Sequence, residues 1–288
     1  MTVILITGTS SGIGKTTALH LASRGHKVYA SMQSLDQRGE LVDDAGNRGV
    51  SVELLTLDVD QDESVQAAVD EVIQREGRID VLINNAGIAS LGTIEQSDFS
   101  VVRQMFETNF FGALRVTRAV LPSMRKQGSG TIVNISSAAG HVMLPCLGIY
   151  SATKGALEAV TESLASEVYA YGIRVVLIEP GFVVTPILRR GLESFQLDPN
   201  SPYYDSERHT YMIFAQGEQT GSDPSVVAEA IESAINDKER RLRYRVTPDA
   251  NVLIDGRKRM TDEDWIAMGR HSSDEDYFGE FATRFPVR

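Results

Sequence analysis

The sequence predicts a doubly wound α/β fold, in which one mostly parallel, seven-stranded sheet carries helices on both faces within a single domain. Short apolar runs alternate with segments of helical period, which is typical of parallel strands joined by crossover helices. The runs are nearly continuous Val, Ile and Leu, the composition of strands that are covered on both faces. With 288 residues and a 42% apolar share, the chain is near the upper size for one hydrophobic core.

The strand and helix candidates follow one another along the chain. The predicted strands are residues 3–7, 27–31, 51–57, 79–83, 131–136, 173–178 and 243–246. The predicted helices lie near residues 13–24, 36–47, 62–75, 98–126, 149–170 and 224–236. No repeat or low-complexity segment interrupts this order, so residues 1–246 are predicted to form the body of the domain.

Two segments break the alternation. Residues 182–222 contain three prolines and several aromatic residues, and they are too long for an ordinary connection inside a compact domain. Such insertions usually serve function, and we expect this one to cover a site as a lid. Residues 247–288 are richer in charge, with one further helix near Asp262 to Met268, and they are predicted to be a peripheral C-terminal tail of the same domain.

Charge and cysteine content exclude several classes of function. The formal net charge is −11, and the basic run at 240–245 is short, so nucleic acid is not the expected partner. Cys146 is the only cysteine, which excludes an intramolecular disulfide and a cysteine-based metal cluster. No metal site is predicted, and a reducing, cytoplasmic location is expected. The first apolar run is too short for a signal peptide and no stretch approaches ~20 apolar residues, so no membrane span is predicted.

A glycine-rich turn follows the first predicted strand. Gly8, Gly12 and Gly14 let the backbone turn tightly and let a pyrophosphate approach the amide donors at the positive end of the next helix. The segment is not a P-loop, because Thr9 stands where that motif needs its first glycine. It also departs from the strict dinucleotide fingerprint, because Thr17 stands in place of the third glycine. A turn that only closes the strand against the helix is the structural alternative.

Tyr150 and Lys154 lie one helical turn apart in a predicted helix. Alone, the pair is a weak signal, because chance gives about one such spacing in five chains of this composition. Its chemistry is that of carbonyl reduction: Tyr150 supplies a proton to the developing alkoxide, and the Lys154 cation, at ~5 Å, lowers the phenol pKa by about two. Ser136 and Ser137 end the fifth strand at the carboxyl edge, where ligands of open α/β sheets bind. The alternative is that Tyr150 packs in the core and Lys154 is solvated.

Several further motifs share the order and spacing of one family. They are the TGxxxGxG turn at 7–14, Asp58 and Val59, NNAG at 84–87, Asn109, NISS at 134–137, YSATK at 150–154 and EPG at 179–181. Over residues 2–185 the chain therefore resembles the short-chain dehydrogenase/reductase family, whose fold is of the Rossmann type. Its C-terminal part lacks a Gly-Gly ending and is similar to the branch that contains 17β-hydroxysteroid and retinol dehydrogenases.

The resemblance implies an NAD(P)-dependent oxidoreductase with four catalytic residues. Tyr150 is the implied general acid and base, and Ser137 the residue that orients the substrate. Lys154 is implied to bind the nicotinamide ribose as well, and Asn109 to hold a water linked to Lys154. Ser136 is expected to support the end of the strand structurally, and a share in the role of Ser137 is the alternative. For Asn109, the alternative is a capping or core role.

The same resemblance implies which residues hold the cofactor. They are Gly8, Ser10, Ser11, Gly12, Ile13, Gly14, Gln33, Asp58, Val59, Asn85, Ala86, Gly87, Tyr150, Lys154, Pro180, Gly181, Val183 and Thr185. Asp58 is implied to hold the adenine amino group and Thr185 the nicotinamide carboxamide. Pro180 and Gly181 would shape the wall beneath the ring. For Asn85, bracing of the sheet is as strong an interpretation as direct contact with the cofactor.

The end of the second strand bears on the choice between NAD and NADP. An acidic residue there binds the ribose 2′-hydroxyl of NAD, whereas a basic one pairs with the 2′-phosphate of NADP. This chain has Met32 and Gln33, and Ser11 stands at a turn position that is often basic in NADP-dependent relatives. The absence of a carboxylate favours NADP, with NAD as the alternative. Asp36, predicted to be a helix cap, would favour NAD if it reached the ribose.

The substrate pocket is predicted to be apolar and aromatic. Its walls are expected from Gly87–Thr93, from Ala138–Leu147 and from the lid, with these side chains: Met143, Leu144, Leu147, Phe182, Leu188, Phe195, Tyr203, Tyr204, Tyr211 and Phe214. Such walls suit a hydrophobic ketone or secondary alcohol, for example a steroid, a retinoid or an aromatic polyketide fragment. The alternative is that half of these pocket side chains only pack the lid's own helices against one another. Cys146 is expected to line the pocket, and His141 and His209 to lie at the surface or at helix caps.

Two further expectations concern assembly and activity. An apolar stripe formed by Leu157, Val160, Leu164 and Val168 predicts a homodimer through the helices near 98–126 and 149–170, and a tetramer is less expected. The leading function is an NADP(H)-dependent alcohol dehydrogenase or ketone reductase. The alternative is a catalytically silent, cofactor-sensing or scaffold protein of the same fold, against which the retention of all four catalytic residues argues.

Overall fold

The computed structural model describes residues 1–286 and confirms the predicted fold class. Seven strands form one sheet in the order β3-β2-β1-β4-β5-β6-β7, and every pair is parallel. The strands are β1 Val3–Ile6, β2 Lys27–Met32, β3 Glu53–Thr56, β4 Val81–Asn84, β5 Gly130–Ile135, β6 Ile173–Glu179 and β7 Arg243–Arg245. The strand order reverses between β1 and β4, and open α/β sheets bind their ligands at the carboxyl ends of the strands beside such a point.

Helices connect and flank these strands. They are α1 Gly12–Ser23, α2 Gly39–Arg48, α3 Asp62–Glu76, α4 Phe99–Phe106, α5 Ala113–Gln127, α6 Gly148–Glu167, α7 Pro186–Ser194, α8 Tyr204–Thr220, α9 Pro224–Asn236, α10 Pro248–Arg259, α11 Asp262–Ala267 and α12 Asp274–Arg284. The helix predicted near 98–126 is divided, because a π-helical turn at Glu107–Gly112 separates α4 from α5. Across residues 1–286, none of the helices has both the length and the apolar character that crossing a membrane requires.

Separate apolar clusters cover the two faces of the sheet. Ile4 and Ile6 of β1 pack with side chains of α1 and α9. Val3 and Leu5 point to the other face and pack with side chains of α3 and α5. All four are at most 4% exposed, which is why β1 has an unbroken apolar run. Burial of one such side chain stabilises the fold by about 1.5–3 kcal/mol.

The predicted lid and the C-terminal segment build a third apolar cluster. The lid contains α7 and α8, and the helices after β7 pack beside them. Ala250, Leu253 and Ile254 of α10 are buried, so the predicted peripheral tail contributes side chains to this cluster through α10, although most of its other residues are partly or fully exposed. The last two residues of that predicted tail, 287 and 288, lie outside the described part of the chain. Charged residues flank the short apolar run of α10, with Asp249 and Asp255 around it and three basic residues at 257–259, which obscured the run in the sequence.

The apolar stripe that predicted a dimer interface is largely used inside the chain. Leu157 and Val168 are 2% and 4% exposed, and Leu164 packs against the cluster that α3 and α5 cover. Large apolar side chains near the other predicted interface helix do remain exposed. These are Phe99 at 66% and Phe111 at 47%.

Candidate active site

Two glycines of the turn, Gly8 and Gly14, lie too close to neighbouring atoms for any larger residue. Gly8 and Gly12 adopt φ angles of +71° and +56°, which glycine tolerates best. A Cβ on Gly8 would lie 2.7 Å from the Ala86 Cα, and one on Gly14 would overlap the Gly8 carbonyl oxygen. Asn85 Nδ2 donates to the carbonyl oxygens of Thr7 and Gly8, each at 2.9 Å. The Asn85 amide group therefore braces the turn, and its contact with the cofactor stays a prediction.

The residues predicted to bind the cofactor surround one cleft. The structure places all of them, from Gly8 to Thr185, on the wall of a cleft of about 470 Å³ at the carboxyl ends of the strands. A turn of backbone amides without side chains is a surface that fits a pyrophosphate. Which of these residues contact the cofactor stays a prediction, but none of them is remote from the others.

The end of β2 contributes polar but uncharged groups to this cleft. Gln33 Nε2 donates to Asp58 Oδ2 at 3.0 Å, which orients that carboxylate. Asp36 is not the helix cap that was predicted. Ser34 takes that place and accepts a hydrogen bond from the Asp36 backbone N–H at 3.2 Å.

Tyr150, Lys154 and Ser137 meet at the junction of α6 with β5. Lys154 Nζ donates to the Ile135 carbonyl oxygen at 2.8 Å and lies 5.6 Å from the centre of the Tyr150 ring. Ser137 follows the end of β5, and its hydroxyl accepts from the Ala139 N–H at 3.1 Å. All three predicted catalytic side chains line the cleft.

Burial dominates the ionisation of Tyr150 and Lys154. It raises the pKa of Tyr150 to about 12, against a smaller lowering by the Ser137 hydroxyl. It lowers the pKa of Lys154 to about 8, while the Glu158 carboxylate acts in the opposite direction. The net lowering of the Tyr150 pKa by about two that was predicted is therefore not found, because the loss of hydration dominates and raises it.

Asn109 lies in the π-helical turn and has a well-defined set of partners. Its Oδ1 accepts from the Ile88 N–H at 2.8 Å, and its Nδ2 donates to the Ile88 carbonyl oxygen at 2.9 Å and to Thr153 Oγ1 at 3.1 Å. Thr153 in turn donates to the Tyr150 carbonyl oxygen at 2.7 Å. The Asn109 side chain therefore does not line the cleft; it connects the π turn to α6 beside Lys154. Its predicted role in a water relay stays a prediction.

Apolar side chains form the rest of the cleft wall. They come from the loops after β4 and β5, from the lid and from α10: Leu91, Val142, Leu144, Leu147, Phe182, Ile187, Leu188, Phe214 and Leu253. Phe182 and Phe214 meet edge to face, with their ring centres 5.3 Å apart. Among residues 1–286, Arg190 on α7 is the one acidic or basic side chain that lines this part of the cleft.

Several residues predicted to line the pocket lie elsewhere. Met143 is 48% exposed, Tyr203 binds Glu95 at the surface, and Phe195 belongs to the third apolar cluster. Tyr204 and Tyr211 are also outside the cleft wall. The reason is that α7 and α8 each turn only one side to the cleft, and the sequence alone does not define which side.

Cys146 and His209 also differ from their predicted positions. Cys146 is 7% exposed and packs in the third apolar cluster, where burial raises the pKa of its thiol to about 12. His209 is buried, and its ring stacks on Tyr277 of α12 with centres 4.1 Å apart. It is therefore a core residue and neither a surface nor a capping residue.

Comparison with known proteins decides the family. A family model described as short chain dehydrogenase matches residues 2–194. The chain belongs to the short-chain dehydrogenase/reductase family. It is an oxidoreductase of that family, and its cofactor is a nicotinamide dinucleotide.

Individual relatives agree with the branch that the sequence predicted. The chain is 38% identical over 252 residues to a 3-ketodihydrosphingosine reductase from Bacteroides thetaiotaomicron, covering 88% of this chain and 90% of the relative. It is 37% identical over 259 residues to 17-beta-hydroxysteroid dehydrogenase type 1 from Homo sapiens, covering 85% and 77%. Among solved structures, a short-chain dehydrogenase from Streptomyces avermitilis has a TM-score of 0.77 at 32% identity, covering 94% of this chain and 98% of the other.

A buried charge network, which sequence reasoning missed, lies behind the catalytic helix of this dehydrogenase/reductase. Glu158 and Glu179 are 5% and 1% exposed. Arg243 Nε of β7 lies 3.0 Å from Glu158 Oε2 and 3.3 Å from Glu179 Oε1. His141 Nε2 lies 3.1 Å from the same Glu179 oxygen. Arg245 Nε lies 3.9 Å from Glu179 Oε2. Because two guanidinium groups oppose the two carboxylates, we interpret the cluster as an ion-pair network.

The network reaches the site through Ser136 and Lys154. The Ser136 hydroxyl is buried without a geometrically good partner, and its interaction with Glu158 lowers the pKa of that carboxyl, against a larger rise from burial. This supports the structural interpretation of Ser136. The available sequence signal was Glu158 itself, since it lies four residues after Lys154 and therefore on the same face of α6.

Proposed function

We propose that this dehydrogenase/reductase interconverts hydrophobic ketones and secondary alcohols with NADP(H), and that Tyr150 is its general acid and base. One observation carries the proposal: a single cleft holds Tyr150, Ser137 and the glycine turn, and the rest of its wall is apolar. A cofactor on the turn and a hydrophobic substrate against that wall would both lie next to the same hydroxyl.

In this scheme, Tyr150 transfers the proton. When bound, the nicotinamide supplies the hydride for reduction and accepts it in oxidation. With a pKa of about 12, Tyr150 is protonated at neutral pH and can donate to the substrate oxygen as that oxygen gains negative charge. The Ser137 hydroxyl donates a hydrogen bond to the same oxygen and fixes the direction of the carbonyl.

Lys154 stabilises the phenolate that Tyr150 becomes. The ammonium and the new negative charge attract each other strongly, because little water screens them in this buried position. Glu158 keeps Lys154 charged, since the pKa of Lys154 would be lower without it. The hydrogen bonds from Asn109 to Thr153 and from Thr153 to the Tyr150 backbone hold the catalytic segment in place.

The end of β2 supports NADP as the preferred cofactor. Met32 and Gln33 are the residues of this segment that line the cleft, and neither repels a 2′-phosphate. Asp58, the nearest carboxylate along that wall, is already engaged by the Gln33 amide at 3.0 Å. Asp36, which could have favoured NAD, does not line the cleft.

The apolar wall supports a hydrophobic substrate. Leu144, Leu147, Phe182 and Phe214 offer a ligand no hydrogen-bonding side chain, so orientation would depend on Ser137 and Tyr150 at the reacting oxygen. The relatives are named for a 3-ketodihydrosphingosine and a 17β-hydroxysteroid, molecules whose surfaces are mostly hydrocarbon. We propose that the substrate here is of this kind.

A screen of ketones tests the proposal. The purified chain is mixed with NADPH or NADH and with matched ketones that differ in hydrocarbon size, and loss of the reduced cofactor is followed. We expect kcat/KM to rise with hydrocarbon size and to be higher with NADPH. Equal turnover of small polar ketones would contradict the substrate class, and a tighter Kd for NADH would contradict the cofactor preference.

Assembly is proposed to be a homodimer. Phe99 and Phe111 are exposed on the α4 side of the molecule, and exposed apolar side chains of this size favour association. Light scattering at several concentrations tests it, and a monomer at all concentrations would contradict the proposal.

A further inference from the structure

Arg190 on the lid helix α7 is a cation that faces the cleft. Among the described residues, two cationic side chains line the cleft, Lys154 and Arg190. Lys154 is buried and donates to the Ile135 carbonyl oxygen at 2.8 Å. Arg190 is exposed and forms no ion pair within residues 1–286. Its neighbour Arg189, in contrast, pairs with Glu218 at 2.9 Å.

The Arg190 side chain folds back toward the N-terminus of α7. Its Nε donates to the Pro186 carbonyl oxygen at 3.2 Å, in the direction that helical side chains ordinarily take. The same end of α7 contacts the glycine turn, because a Cβ on Gly12 would lie 3.4 Å from Thr185 and 3.7 Å from Pro186. Arg190 and the turn at which the dinucleotide phosphates are expected therefore line the same cleft, and Pro186 neighbours both.

The glycine turn supplies no cation of its own to balance a bound phosphate. Lys15, just after the turn, lies 2.9 Å from Glu40 and 2.9 Å from Asp44. The cleft wall also includes Asp58 and Asp60, and the whole chain has a net charge of −11. A phosphate dianion entering this cleft would meet a negative field unless a cation compensates it.

We propose that Arg190 binds the phosphate groups of the dinucleotide cofactor and that α7 thereby holds the cofactor from the lid side. The inference rests on the proposed function for the dinucleotide itself and adds a binding residue to it. A guanidinium suits the task, because its planar donors match two phosphate oxygens at once. Two phosphate groups of the cofactor fit this donor geometry: the pyrophosphate common to NAD and NADP, and the 2′-phosphate of NADP alone.

The test compares Arg190→Gln with Arg189→Gln, a control that removes the same charge at the neighbouring position, which does not line the cleft. Dissociation constants of the full-length chain for NADPH and NADH are measured by calorimetry at fixed ionic strength. We expect Arg190→Gln to weaken NADPH binding about tenfold, and Arg189→Gln to change it less than about twofold. Equal weakening for both cofactors assigns Arg190 to the pyrophosphate, and weakening confined to NADPH assigns it to the 2′-phosphate.

Two results would overturn the inference while leaving the proposed function intact. One is an Arg190→Gln protein that binds both cofactors as tightly as the unmodified chain. The other is equal weakening by Arg190→Gln and Arg189→Gln, which would indicate a general effect of net charge. If the unmodified chain bound neither cofactor, the proposed function would fail, and the role of Arg190 with it.

Discussion

Lys154 Nζ donates a 2.8 Å hydrogen bond to the carbonyl oxygen of Ile135, and this bond joins the catalytic helix α6 to the last residue of β5. Lys154 is 5% exposed, and burial lowers its pKa from 10.5 to about 8. A charged group in such a position costs stability at neutral pH. Its presence there indicates a role in activity more than a role in folding.

Replacement of Lys154 by Met should stabilise the fold and abolish turnover. Below pH 8 the lysine is charged in both the folded and the unfolded chain, so the full cost of burial is present. Between about pH 8 and 10.5 only the unfolded chain keeps the proton, so this group makes stability rise with pH there. At neutral pH we expect Lys154→Met to raise the free energy of unfolding by about 2 kcal/mol, measured by urea denaturation. A fall in that free energy would contradict this account of the site.

Replacement of Glu158 by Gln should shift the pH profile of ketone reduction. Tyr150 stays protonated well above neutral pH, so the fall in kcat/KM at high pH should follow the loss of charge on Lys154, near pH 8. Glu158→Gln removes the carboxylate that raises the pKa of Lys154, so the fall should begin at lower pH. Glu162→Gln is the control, since it removes another carboxylate bound to Arg243 that is 64% exposed. Identical profiles for the two variants would exclude a role of Glu158 in the charge of Lys154.

Alanine at Gly14 should disrupt the turn, whereas alanine at Gly46 should not. A Cβ on Gly14 would overlap the Gly8 carbonyl oxygen and the Asn85 side chain, but one on Gly46 of α2 would meet nothing within 4 Å. We expect Gly14→Ala to lower the free energy of unfolding by about 2–4 kcal/mol and to remove cofactor binding. Gly46→Ala should raise stability by about 0.5–1 kcal/mol. Urea denaturation and calorimetry measure both effects, and unchanged cofactor affinity in Gly14→Ala would show that the turn is not the binding surface.

Truncation of Phe214 should change substrate selection. Phe214 lines the cleft and packs edge to face on Phe182, whereas Met212 of the same helix is 39% exposed and does not line the cleft. We expect Phe214→Ala to raise KM for a hydrophobic ketone about tenfold or more, with a smaller effect on kcat. Met212→Ala should leave both constants within about twofold. A KM that responds equally to the two variants would place the substrate away from α8.

The parts of the fold that were predictable are those in which local sequence and long-range packing agree. Ile4 and Ile6 alternate with apolar neighbours that face the other side of the sheet, so β1 is an unbroken apolar run. Gly8 and Gly12 are required by positive φ angles, which other residues tolerate poorly. Tyr150 and Lys154 were found because helical spacing places them on one face of α6.

What could not be predicted depends on contacts between segments distant in the sequence. The burial of His209 depends on stacking against Tyr277, which lies on a helix 68 positions further along the printed sequence. Which residues of α8 face the cleft depends on how the lid packs with α10 in the third apolar cluster, and this is why Tyr204 and Tyr211 were placed wrongly. The pKa of Tyr150 is raised by burial in the folded chain. The spacing of Tyr150 and Lys154 in the sequence gives no information about that burial.

The central claim is that Tyr150 transfers the proton, and its replacement by Phe tests this most directly. Kinetics of a hydrophobic ketone with NADPH are compared for the unmodified chain, for Tyr150→Phe, and for Tyr169→Phe, a control at a tyrosine that is 61% exposed. We expect Tyr150→Phe to lower kcat/KM by about a thousandfold or more, with the Kd for NADPH within about threefold of the original. Tyr169→Phe should behave as the unmodified chain. Turnover by Tyr150→Phe at a rate close to that of the unmodified chain would contradict the account.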